Sequence, residues 1–350
     1  MVTAAVFIRS MRFMGGQIVA YPLLYALHQH MPHARLRVVA RDPVGRDYTG
    51  LPWPVEFVQV DSWLDHYQAL GRGTDIMMAL HYTSERYGIL AALARPKLRL
   101  GFANKRFTDR VWTHRWNKNF NEYLAVGNVQ LLRQVFDVDI ERNSRACFQA
   151  LADSADQAIT PSDIVFMPGG GAGAYKRWGL NNFLHLHRSL VKRLGNNLSF
   201  TVVMGPDESE EYERLRVLAL PNVRLMMTRP TAEIAAVCMT AKLIVANDCG
   251  PSHVGQGACV PYVGVFHCPN PSWYWDRPYS RCVIPEGDGL GDIQRVSPDQ
   301  VLRACEAIWE TGPAHRAAAS QSEPRPTQQQ GDWIDENAPA HPFDSAALPN

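Results

Sequence analysis

An α/β fold built on two successive parallel sheets is what the sequence predicts, and three observations carry that prediction. Short runs of β-branched and other apolar residues alternate with segments of helical spacing. The alternation begins again after a stretch near residues 146–162. At 350 residues and 46% apolar content, the chain can build two domains of ordinary size. The two series read as two Rossmann-like domains facing each other, residues 1–155 and 156–312, followed by a tail, 313–350.

In the first series, Ala4–Arg9 reads as a strand and Met14-Gly15-Gly16 as a turn. Gln17–His30 has helical spacing, with Val19, Leu23, Leu24 and Leu27 on one face. Arg35–Ala40 and Val55–Val60 are strand runs. Asp75–Leu80 is a buried strand ahead of a helix, Ser84–Ala94. Lys97–Phe102 is a further strand, followed by a loop rich in Arg, Trp and Asn and by a helix of mixed polarity, Asn119–Phe136. In the second series, Ile164–Met167, Leu198–Met204, Val223–Met227, Leu243–Ala246 and Tyr262–Phe266 are strands. Asn181–Leu194, Glu208–Leu218, Thr231–Thr240 and Pro251–Ala258 are the helices between them. From Pro313 onward Ala, Ser, Gln and Pro dominate. That stretch cannot bury enough surface to offset its chain entropy and reads as a disordered tail with one apolar point, Trp333-Ile334.

Lys and Arg (35) nearly balance Asp and Glu (34), leaving a net charge of +1. This argues against a protein that holds nucleic acid or a membrane surface by bulk electrostatics. Seven scattered cysteines with no C-x-x-C pair fit a reducing compartment rather than a disulfide scaffold. No secretory signal is read, and no apolar run approaches the roughly 20 residues needed to span a bilayer. The expectation is a soluble cytoplasmic enzyme.

Two segments carry chemistry. In Phe166-Met167-Pro168-Gly169-Gly170-Gly171-Ala172-Gly173-Ala174-Tyr175-Lys176-Arg177-Trp178 a strand opens into a glycine loop ahead of a helix. Glycines let backbone N–H groups approach an anion closely, and Lys176 and Arg177 add full positive charge, a combination suited to a phosphate or diphosphate. It is not a P-loop, because Tyr175 precedes Lys176 and Arg177 follows it. A G-x-G-x-x-A match at Gly169, Gly171 and Ala174 has little weight in so glycine-rich a string. The plainer alternative is a surface turn.

In the second segment a buried strand ends at Asn247-Asp248, Cys249-Gly250-Pro251 turn, and Ser252–Ala258 is a short helix of small residues. Open α/β sheets bind ligands at such carboxyl ends of strands. His253 could reach an acceptor oxygen or a phosphate. Asp248 could equally be a helix cap, and His253 a satisfied packing residue. Cys249, His253, Cys259, His267 and Cys268 match no zinc spacing, so no metal site is expected.

Together these segments resemble glycosyltransferase family 9, the ADP-heptose:lipopolysaccharide heptosyltransferases. The resemblance is carried by Pro168-Gly169, Lys176-Arg177-Trp178, Met204-Gly205-Pro206-Asp207-Glu208, Asn247-Asp248-Cys249-Gly250-Pro251-Ser252-His253 and Pro261 to Phe266. Tyr21-Pro22-Leu23-Leu24, Met31-Pro32 and Leu98-Arg99-Leu100-Gly101 are weaker matches. It covers about Val2 to Trp309. It implies a GT-B fold with a cleft between the domains. The donor, a nucleotide-diphosphate sugar such as ADP-heptose, would sit mainly on the C-terminal domain. A glycan or lipid-linked acceptor would sit on the N-terminal one. It implies inverting transfer with no metal and no other cofactor, in the cytoplasm or at the periphery of the inner membrane. Lys176 would contact the diphosphate, with Gly169, Gly170, Arg177, Asp248, Cys249, Gly250 and His253 around it.

The match departs from the family at two places. The family's first glycine turn carries an Asp that serves as general base, and the aligned residue here is Gly16, followed by Gln17. An amide does not accept a proton at useful pH, so Gly16 and Gln17 are expected to border the substrate without acting as a base. Cys249 also stands where Thr or Ser is usual. Replacement bases are His81, at the end of the Asp75–Leu80 strand, and Glu85, one turn on. The plainer role for His81 is a hydrogen bond at the strand end. The alternatives are a silent nucleotide-sugar-binding protein, base-free slow transfer, and a GT-B epimerase. Lys105–Lys118 interleaves cations with Trp112 and Trp116, as an acidic acceptor would favour. Trp273-Tyr274-Trp275 could stack on a sugar or pack between domains.

Overall fold

The computed structural model describes residues 1–9, 12–71, 73–82, 85–103, 105–287 and 290–309. The expected tail, 313–350, with Trp333-Ile334, lies outside the described residues.

The first six strands are β1 (Thr3–Phe7), β2 (Arg35–Ala40), β3 (Glu56–Gln59), β4 (Ile76–Ala79), β5 (Leu98–Ala103) and β6 (His114–Asn117). They form one parallel sheet in the order β3-β2-β1-β4-β5-β6. The helices between and after them are α1 (Met14–Ile18), α2 (Tyr21–His30), α3 (Arg46–Thr49), α4 (Trp63–Leu70), α5 (Arg86–Ala94), α6 (Leu124–Leu132) and α7 (Ile140–Asp153). The second sheet holds β7 (Ile164–Met167), β8 (Phe200–Met204), β9 (Val223–Met227), β10 (Leu243–Asn247), β11 (Tyr262–Val265) and β12 (Ser280–Val283). Its order is β12-β11-β10-β7-β8-β9, also all parallel. Its helices are α8 (Leu180–Leu194), α9 (Ser209–Leu218), α10 (Thr231–Thr240), α11 (Ser252–Gly257) and α12 (Pro298–Trp309).

Each sheet therefore repeats one doubly wound order, with its topological switch between the first and fourth strands of its set. The loops after β1 and β4, and after β7 and β10, flank the crevices where such sheets hold ligands. Strands β4, β7, β8, β10 and β11 are buried along their whole length, as expected of parallel strands covered on both faces.

Several elements differ from expectation. The single helix expected over Gln17–His30 is two: α1 ends before Val19-Ala20, and α2 starts again at Tyr21 with Pro22 in its first turn, where a missing N–H costs nothing. The loop expected around Lys105–Lys118 contains the edge strand β6, and Trp112 beside it is nearly buried. The helix expected over Asn119–Phe136 spans only Leu124–Leu132. The helices α4, α7 and α12 and strand β12 were not anticipated. Ser62 and Asp65 form a reciprocal capping box on α4, and Asp139 caps α7. Although α7 precedes the second sheet, it packs on α10 and α11 as well as on α2, and one apolar cluster runs continuously from Val6 and Leu24 through Phe148 to Ile234 and Ile244.

Candidate functional site

The site begins at the switch point of the second sheet. Asn247, the last residue of β10, donates from Nδ2 to the carbonyl of Pro168 at 2.7 Å, tying the ends of β10 and β7 together. The glycine loop leaves β7 there and folds tightly. A Cβ on Gly170 would lie 2.7 Å from Cγ of Arg177 and 3.3 Å from the carbonyl carbon of Lys176, so only glycine admits the returning chain. Glu208, almost fully buried, holds the loop from the β8 side. It accepts from the N–H groups of Gly170 and Gly205 and pairs with Arg177 at 3.1 Å.

This folding delivers Lys176 onto Asp248, with Nζ 2.5 Å from Oδ2. The carboxylate is 4% exposed, so the pair is largely desolvated, and each charge depends on the other or on a ligand. Cys249 is buried, which pushes its thiol up to about 12 and keeps it neutral. His253 follows one turn into α11, 2% exposed. Burial lowers its pKa to about 4 against the opposing field of Asp248, so the ring is neutral near pH 7.

The first half of the chain meets this cluster directly. A Cβ on Gly15 would sit 2.7 Å from Cδ2 and 3.0 Å from Nε2 of His253, and one on Gly250 would meet Cβ of Met14 at 3.1 Å. The hydroxyl of Tyr123, before α6, lies 3.0 Å from His253 Nδ1. Tyr123 stacks on Trp275 at 5.7 Å, and Trp273 lies against the His253 ring at 5.1 Å. Of the two roles open to the Trp273–Trp275 segment, packing between the halves is the one observed. Tyr123, Gln256 and Asn247 were not singled out as site residues. Tyr123 carried no signal, since it meets His253 across 130 positions of sequence.

The other expected residues lie elsewhere. Gln17 is in the core instead of the cleft: it is wholly buried, and its Oε1 accepts from the Tyr48 hydroxyl at 2.7 Å. His81 stands at the end of β4, beside the switch point of the first sheet. Its Nε2 donates to the carbonyl of Ile8 at 2.6 Å and its ring stacks on Tyr87 at 4.2 Å. Burial lowers its pKa to about 4. Glu85 pairs with Arg106 at 3.2 Å. The partners of these two residues are thus on β1, α5 and the loop after β5, whereas the Lys176–Asp248–His253 cluster meets Gly15 and Tyr123. Among the described residues no group of three or more His, Cys, Asp or Glu is placed to hold a metal ion, and no helix is long and apolar enough to cross a membrane.

Comparison with known proteins agrees with this architecture. Escherichia coli heptosyltransferase WaaC with ADP is 14% identical, with 89% of this chain and 100% of that one covered and a TM-score of 0.65. E. coli ADP-heptose lipopolysaccharide heptosyltransferase II is 15% identical over 89% of this chain and 99% of that one, TM-score 0.59. A family 9 glycosyltransferase of Veillonella parvula is 19% identical over 88% and 97%, TM-score 0.59. No curated protein matches the chain. These likenesses establish the GT-B fold. The model of glycosyltransferase family 9 (heptosyltransferase) matches residues 75–283, from just before β4 to the end of β12, and so takes in both chemical segments. The chain belongs to glycosyltransferase family 9.

Proposed function

We propose that the protein transfers a heptose-like sugar from a nucleotide-diphosphate donor to a hydroxyl of a glycan or lipid-linked acceptor, with inversion and without a metal ion. The observation that carries this is the meeting of Lys176, Asp248 and His253 at one switch point with the Gly15 turn of the other. Charge developing on the departing diphosphate would be met by Lys176, released from Asp248, in a site where water is scarce and such contacts count most. That cation does the work a metal would otherwise do. Gly169, Gly170, Arg177, Cys249 and Gly250 form the wall of the donor site, and Gly16 borders the sugar. Residues 1–155 hold the acceptor and 156–312 the donor. The structure of WaaC with ADP supports an adenine nucleotide as donor. A lipid-linked acceptor would bring the protein to the inner membrane.

The acceptor's proton needs a base, and His81 is the better of the two candidates. Its Nε2–H is committed to Ile8, which leaves Nδ1 as the lone pair. Burial lowers its pKa to about 4, so the ring is neutral near pH 7 and that lone pair is unprotonated. Glu85 is committed to Arg106. A second reading, a silent nucleotide-sugar-binding protein, is favoured by Gly16 itself.

A thermal-shift panel of nucleotide-diphosphate sugars followed by turnover assays separates these readings. Stabilisation by ADP-heptose that is lost in Lys176→Ala, with acceptor-dependent release of ADP, supports transfer. Binding without turnover when acceptors are supplied selects the silent reading. Donor conversion without acceptor selects an epimerase. No stabilisation by any donor overturns the assignment.

A further inference from the structure

The hydrogen-bond pattern behind His253 determines which of its nitrogens carries the proton. Gln256 lies one turn further along α11 and is wholly buried. Its Oε1 accepts from the backbone N–H of Trp275 at 2.6 Å, and its Nε2 donates to the carbonyl of Trp273 at 3.1 Å. Exchanging the two ends of the amide would set oxygen against carbonyl and N–H against N–H, so the backbone fixes its orientation. The second hydrogen on Nε2 then faces His253 Nδ1 at 3.3 Å. Tyr123 approaches the same nitrogen with its hydroxyl at 3.0 Å. Burial raises the phenol pKa far above neutral pH, so this hydroxyl keeps its proton and is able to donate to an unprotonated ring nitrogen. A proton on Nδ1 would face the fixed Nε2–H of Gln256, whereas an unprotonated Nδ1 accepts from both Gln256 and Tyr123.

We infer that Gln256 and Tyr123 are positioning residues that hold neutral His253 as the Nε2–H tautomer, so that the ring edge facing Gly15 presents a hydrogen-bond donor to the departing diphosphate instead of a base. This rests on the glycosyl-transfer reading for its ligand, but the tautomer itself rests only on the geometry. The charged neighbours that act on the ring, Asp248 and Lys176, belong to the donor cluster, and neither bonds Nδ1. The inference also separates the roles of His81 and His253. His81 spends its Nε2–H on Ile8 and keeps a lone pair at Nδ1, whereas His253 has its Nδ1 lone pair engaged and keeps the N–H at Nε2.

The test is the ¹⁵N spectrum of the His253 imidazole at pH 7, assigned by loss of the signal in His253→Gln, together with donor kinetics. The native protein should show a protonated Nε2 and an unprotonated Nδ1. Tyr123→Phe preserves shape and should retain this tautomer in the majority. Tyr123→Phe with Gln256→Leu should give a mixture of tautomers. In that double variant kcat should fall about tenfold while KM for the donor stays nearly constant, because the lost contact strengthens with leaving-group charge. His253→Gln, whose amide N–H reaches the Nε2 position, should keep more activity than His253→Asn. A protonated Nδ1 in the native protein overturns the inference. So does a double variant that changes neither spectrum nor kcat. A native Nε2–H tautomer in a protein that turns over no donor overturns the glycosyl-transfer reading and leaves the tautomer assignment standing.

Discussion

Gly15 and His253 touch across the junction of the two sheets so closely that no side chain fits between them: a Cβ at position 15 would lie 2.7 Å from Cδ2 of the imidazole. The first glycine turn therefore packs directly on the cluster that follows β10. Gly15→Ala should push the two loops apart at a cost of about 1–3 kcal/mol, the usual range for overpacking. Donor turnover should drop by more than the melting temperature suggests. An alanine variant with native kinetics would show that the contact has no bearing on the site.

Lys176 and Asp248 stabilise each other while no donor is bound. Removing the cation strands a carboxylate that is 4% exposed, so Lys176→Ala should lower the melting temperature as well as abolish the response to nucleotide. Adding Asp248→Asn should recover most of the lost stability and none of the response, because the two residues couple in folding and diverge in function. A double variant that again responds to ADP-heptose would remove Lys176 from the donor site.

Histidines whose pKa the fold lowers contribute to the acid limb of the stability curve. Burial lowers His253 from 6.5 to about 4 in the folded chain. Between those values the unfolded chain binds a proton that the native chain does not. Its stabilising contribution is therefore fully present above pH 6.5 and is lost as pH falls toward 4. Over two pH units this amounts to about 2–3 kcal/mol. His81 acts in the same direction. Chemical denaturation from pH 7.5 to 4.5 should show the decline, and His253→Gln should flatten it by the slope of one proton. An unchanged slope would mean that His253 already titrates normally in the native state.

The vacant base position gives a rescue experiment. If His81 takes the acceptor's proton, His81→Ala should slow transfer by about 10²–10⁴-fold. Gly16 lies within α1, in helical conformation, a backbone that residues with side chains also adopt. Gly16→Asp in the His81→Ala background should restore much of the rate. An unchanged rate in His81→Ala would show that this histidine only braces Ile8 and Tyr87.

The two parallel sheets were legible because their strands are buried on both faces and read as continuous apolar runs. Edge strand β6, His114–Asn117, was not, because its residues are half-buried or exposed and its apolar content is one Trp. Helix α7 was missed because its buried stripe uses Ser144 and Cys147 beside Phe148 and Leu151, too mixed to stand out from a linker. The residues of the Lys176–Asp248–His253 cluster were legible in the sequence as two contiguous motifs. Tyr123 and Gly15 belong to it only through tertiary approach, which no local spacing encodes. Gln17 looked like a cleft residue because it follows the glycine turn, but the turn of α1 carries its side chain inward to Tyr48.

Helix α7 has a consequence for biosynthesis. Its apolar face is completed by α10 and α11, which leave the ribosome only after the intervening residues, 154–230, have been made. At about 5–20 residues per second, that face waits roughly 4–15 seconds before α10 begins to be made, and longer for α11. The first sheet can form during that interval, but the nascent chain carries an uncovered stripe around Phe148 and Leu151 that chaperones could recognise until the second half arrives.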